Sequence, residues 1–173
     1  MRAIEKPNPN EFPAYAETYM RWLPDDGQLL NHLKNNFEAI KRFVLSLPED
    51  RLHHRPTPEK WSIKETLVHI VDDERIYAYR AMCFARNEDK ALPGFKQDHY
   101  TSYSGADARS ITCIMDEYEA VRSATIALFK GLPTESLTRS GVADWNCVTV
   151  RALGYHIAGH EVHHFRLLMD KYF

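Results

Sequence analysis

Seven residues near the C-terminus, GHEVHHF, hold the densest chemistry in the chain: His160, Glu161, His163 and His164 fall within five positions. They contain H-E-x-x-H, a pattern in which two histidines four apart on a helix bind zinc and the glutamate serves as general base. Proteases built on that pattern take a further ligand from well downstream. Here nine residues follow His164, and the one acid among them, Asp170, continues the same helical stretch. A protease site does not fit, and any further ligand must come from upstream.

Projected at about 100° per residue, Leu153, Ile157, His160, His164 and Leu167 share one arc of the last helix, with His156 and His163 on its shoulder. Two imidazoles therefore sit in the middle of a core-facing stripe. Left without partners there, each would cost about 1–3 kcal/mol. A divalent metal is one answer, since neutral imidazole binds zinc, nickel, copper and iron. A hydrogen-bonded core network is the other. His69, in TLVHIVDDE, is the upstream candidate for a third ligand, at the margin of its own helix's apolar face. Three histidines with an open position make a catalytic type of site, because closed structural zinc sites use four protein ligands. Asp73, one turn after His69, can orient an imidazole, and His156 can line a pocket. Glu161 lies about 100° from His160 on the helix, which suits a residue behind the ligands or at the surface better than a general base. Asp72 and Glu74 read as solvated or paired with Arg75 or Arg80. Trp61 reads as packing under the start of the second helix, and His99 is the loop histidine best placed for a pocket rim.

Four helical segments must position these residues. The first runs from about Asp25 to Leu47, with Leu29, Leu33, Phe37, Ile40 and Val44 at helical spacing. The second opens at the capping box Ser62-Ile63-Lys64-Glu65 and continues to about Asn87. The third spans roughly Ala106 to Lys130, stopped by Gly131 and Pro133. The fourth runs from Thr149, a suitable N-cap, to the end. No convincing period-two alternation is present, so the fold class is all-α. The stretch NEDKALPGFKQDHYTSYSG between the second and third segments is long enough for one crossover in a four-helix bundle. Residues 1–24 read as an arm packing on the bundle, and residues 25–173 as the bundle domain.

Composition bounds the function classes. The chain has 173 residues, net charge −2, 44% hydrophobic and 27% charged residues, a composition that suits one folded domain. Basic residues are interspersed with acidic ones, which argues against nucleic acid. Cys83, Cys113 and Cys147 form no C-x-x-C pair, which suits a reducing cytosol. No apolar leader or membrane-length span is seen, so a cytoplasmic protein without membrane partners is expected.

Three stretches, PEKWSIKETLVHIVDDERIYAYRAMCFAR, LPGFKQDHYTSYSGADARSI and VTVRALGYHIAGHEVHHFRLL, together give the chain its family likeness: from about Gln28 to Lys171 it resembles the DinB-like (damage-inducible) four-helix-bundle proteins. The resemblance implies an up-down-down-up bundle with a divalent metal, zinc or nickel, on one histidine of the second helix and two of the last. The matching positions are His69, His160 and His164. It also implies a metal-dependent transferase using a low-molecular-weight thiol, or a hydrolase, acting on a small molecule, with no DNA chemistry. The alternative is a non-catalytic stress-response or binding module that retains the histidines. A second apolar stripe on the last helix, Ala158, Val162, Phe165 and Met169, must be covered by the arm or by a second subunit; a homodimer is an expectation on that ground.

Overall fold

The computed structural model describes residues 2–173. Four long helices carry the fold: α2 (Leu29–Leu45), α4 (Ile63–Ala85), α6 (Ile111–Gly131) and α7 (Val150–Tyr172). Short helices α1 (Glu17–Met20), α3 (Glu49–Leu52) and α5 (Gln97–Ser102) lie in the connections, with a hairpin of β1 (Ser140–Ala143) and β2 (Asn146–Thr149) before α7. Among the described residues no helix is long and apolar enough to cross a membrane.

Local signals explain the helix starts. Ser62 accepts from the Glu65 amide while Glu65 returns to the Ser62 amide, closing the expected capping box of α4. Thr149 caps α7 by accepting from the Ala152 amide at 3.3 Å. The first bundle helix begins later than expected. The Asp26 carboxylate accepts from the Gln28 amide, and Gly27 takes a left-handed φ of 68°, so Asp-Gly makes a turn where a helix was expected. The third likewise starts at Ile111, with Ser110 as its cap, because residues 106–108 form a separate 3-10 turn.

Cross-helix contacts set the topology. Leu33 meets Arg122 and Phe37 meets Tyr118, so α2 and α6 run antiparallel. Gly154 lies beside Leu29, and Phe165 packs edge-on against Phe43 at 5.4 Å, so α2 and α7 run parallel. His69 meets His164 while Tyr77 meets His156, so α4 and α7 are antiparallel. The result is an up-down-down-up four-helix bundle. The Phe43–Phe165 contact also places part of the last helix's second apolar stripe against α2 within the chain.

The hairpin escaped the periodicity reading because each strand has four residues and its turn lacks glycine. Asp144 and Trp145 take the left-handed positions themselves, at φ of 50° and 64°. The crossover is not structureless either: Leu92 bonds to the hairpin through Val142 and Asp144, and α5 follows. Apolar packing divides into two clusters, one around Leu29–Leu33, Phe84, Phe129 and Leu153, the other around Phe37–Val44, Leu67, Ile114 and Leu168. Between them runs a belt of buried polar residues: His69, Asp73, Glu74, Arg122, His156, His160 and Glu161.

Candidate metal centre

The belt begins from helical spacing. His160 and His164 stand one turn apart on α7, and His69 faces them from the antiparallel α4. One ligating atom from each of the three lies within 4.8 Å of the others. The Nε2 atoms of His69 and His160 are 3.2 Å apart. Two nitrogens bound tetrahedrally at about 2.0–2.1 Å would be separated by about 3.3–3.4 Å, so the spacing suits a shared ion. Burial holds all three imidazoles neutral: His164 is pushed down to about 3 and His160 well below its usual range, each helped by the neighbouring histidines, while for His69 burial outweighs the pull of Asp73. Neutral imidazole is the ligating form.

Asp73 stands behind His160, its Oδ2 3.4 Å from His160 Nδ1 and 3.4 Å from His156 Nε2. It therefore faces the nitrogen that the triad leaves free, where a carboxylate fixes tautomer and ring orientation. Neither Asp73 Oδ2 nor His156 Nε2 has a hydrogen-bond partner among the described residues, although both side chains are buried. His156 is held flat against Tyr77, with ring centroids 3.7 Å apart and planes 4° apart.

Two cavities reach the triad. One of about 240 Å³ is lined by His164, Trp61, Thr66, Asp98, Leu167 and Tyr172, among others. Trp61 does more than pack under α4: its ring lies 4.7 Å from His69 and nearly parallel to His164. The other, of about 170 Å³, lies on the His160 side, bounded by Asp73, His156 and tyrosines of the arm. His99 borders neither; its ring turns toward Tyr103, while its chain neighbours Gln97 and Asp98 line the two cavities.

Two sequence expectations need correction. Glu161 is neither behind the ligands nor at the surface. Its carboxylate accepts from Tyr118 Oη and from Arg122, at 2.9 Å for the closest guanidinium contact. The 100° step from His160 turns it out of the histidine face and into the seam with α6. Glu74 is buried too and pairs with Arg122 at 2.8 Å, not with Arg75 or Arg80. Arg122 and Tyr118 were missed because an arginine and a tyrosine on a mixed helix face look solvated until their partners are known. Tyr19 was also missed as a site residue, yet its ring meets His156, His160 and His163 edge-on at 4.8–5.4 Å.

The sequence pattern of the DinB superfamily matches residues 32–168, which spans most of the bundle and all three histidines. The chain belongs to the DinB superfamily. Among solved structures it is similar to YfiT from Bacillus subtilis, described as a probable metal-dependent hydrolase with an unusual four-helix bundle topology. That likeness has a TM-score of 0.68 at 13% identity, covering 95% of this chain and 92% of YfiT, and it speaks to the fold. No curated protein matches the chain.

Proposed function

We propose that this DinB superfamily member is a metal-dependent enzyme acting on a small molecule, with His69, His160 and His164 holding one divalent ion, zinc or nickel. The observation that carries the reading is three neutral imidazoles converging from two helices, His69 and His160 buried and His164 half-buried, with Nε2 atoms of two of them 3.2 Å apart. One proton joins only two of the three converging nitrogens, so hydrogen bonding does not tie all three rings together. A cation resolves that arrangement where a proton network does not. YfiT, similar in fold, is itself described as metal-dependent.

When bound, a divalent ion supplies Lewis acidity that makes water or a thiol acidic near neutral pH, which suits hydrolysis or transfer from a low-molecular-weight thiol. The chain supplies the rest. Asp73 places a carboxylate oxygen 3.4 Å from His160 Nδ1, and the Trp61 ring packs against His69. His164 opens on a cavity large enough for a small substrate, a feature that supports an enzyme over a module retaining idle histidines.

The test is elemental analysis of tag-free protein purified without chelators, with His160→Ala beside it. Close to one ion per chain, lost in the variant, is expected. No metal in either, after incubation with zinc, nickel and manganese in turn, would overturn the proposal.

A further inference from the structure

The arm precedes the segment on which the family likeness rests, residues 32–168, yet it walls the cavity beside His160. Its Tyr15 and Tyr19 line that cavity together with Asp73, Tyr77, His156 and His160. The approach is close. A Cβ at position 159 would lie 2.4 Å from the Tyr19 carbonyl oxygen, so the glycine immediately before His160 is what admits the arm's backbone to α7. Glu11 secures the arm at the start of the same helix through Arg151 and Thr149. Inside, Asp73 Oδ2 and His156 Nε2 lie 3.4 Å apart on residues that are both only 4% exposed, without hydrogen-bond partners among the described residues. Buried polar atoms are nearly always satisfied; these two face each other at 3.4 Å without forming a hydrogen bond, on residues that line the cavity, and a group entering from it satisfies both.

We infer that the arm completes a substrate subsite at this cavity, which takes a hydrogen-bond donor of the substrate, a hydroxyl or an ammonium, between Asp73 Oδ2 and His156 Nε2. The inference rests on the histidine triad being the reacting centre. A hydroxyl gives its proton to Asp73 and accepts from a His156 N–H; an ammonium gives protons to both atoms when His156 Nε2 is unprotonated. Both fit because imidazole takes either tautomer. The arm thereby determines specificity: it sets the width of the pocket in which that group must lie, next to the ligand His160.

Cobalt-loaded protein tests this with three probes that share a sulfur head: ethanethiol, 2-mercaptoethanol and cysteamine, each followed by the thiolate-to-cobalt charge-transfer band. At least one donor-bearing probe is expected to bind roughly tenfold tighter than ethanethiol, and which one gains separates hydroxyl from ammonium. In Gly159→Ala and Tyr19→Leu, cobalt content should stay at the wild-type level while the preference falls to within about twofold. Equal binding of all three probes by the wild type, or an undiminished preference in both variants, overturns the inference. Failure of the metal reading appears separately, as absence of cobalt uptake. In that event metal-free protein with ring-¹³C tyrosine is titrated with ethanolamine. Shifts at Tyr15 and Tyr19 that vanish in His156→Phe support the subsite, and unmoved resonances overturn it.

Discussion

His160 and Glu161 are neighbours on α7, yet each belongs to a different buried polar cluster, and the two are built on opposite principles. The Glu161 cluster contains its own counter-charge. Arg122 reaches Glu74 on α4, Glu161 on α7 and the Leu33 carbonyl on α2, while Tyr118 donates to Glu161. Burial works against the charged guanidinium, and the carboxylates of Glu161 and Glu74 outweigh it; burial also raises Glu161 above the usual carboxylate range against the pull of Arg122. The His160 cluster gathers bases without an internal cation at their meeting point, and leaves Asp73 Oδ2 and His156 Nε2 unpartnered beside them. A cluster that satisfies itself ties helices together, and one that does not is arranged for something else to bind. Both lie in the belt between the two apolar clusters, so the first fixes the register of α4 and α7 on which the second depends.

Breaking the self-satisfied cluster should produce the largest effect. Arg122→Met leaves Glu74 and Glu161 facing each other without a cation, and a loss of about 3–5 kcal/mol is expected in urea unfolding. Adding Glu74→Gln and Glu161→Gln to it should recover part of that loss, because the charges go with the cation. Ligand linkage sharpens the contrast. Zinc at about 100 times its dissociation constant should stabilise the wild type by about 2.7 kcal/mol and His164→Ala by far less, read as a shift in the unfolding midpoint.

Asp73→Asn keeps the shape behind His160 but removes the carboxylate charge, so metal affinity is expected to fall by about 10–100-fold with the fold intact, measured by competition with a chromogenic chelator. The pH response should follow from the lowered histidines. Between the unfolded value, about 6.5, and the folded value of His164, about 3, the unfolded chain binds more protons than the native one. Metal-free protein should therefore hold its full histidine-linked stability above that range and lose it progressively as pH falls through it, in urea titrations at stepped pH. The smallest effect belongs to the arm. Arg151 holds Glu11 down at about 2, so this pair contributes fully above the usual carboxylate range and fades as pH falls toward 2. Glu11→Gln should cost about 1 kcal/mol and make the arm more susceptible to limited proteolysis at neutral pH.

What could be read from the sequence is what depends on residues within about four positions of one another. The caps at Ser62 and Thr149, the four apolar stripes and the pairing of His160 with His164 on one face all come from the local pattern of a single helix. His69 entered as a candidate on the same ground, and family likeness supplied the topology that periodicity lacks. The hairpin stayed hidden because four-residue strands around an Asp-Trp turn give too little pattern. Tertiary structure alone decided which side chains meet across helices: Arg122 with Glu161, Trp61 with the triad, and Tyr19 of the arm with His160. Helical spacing gives the face on which a residue lies, but its partner depends on the rotation and axial offset of a second element. A one-residue step of about 100° then separates a candidate ligand from the carboxylate that anchors the bundle beside it.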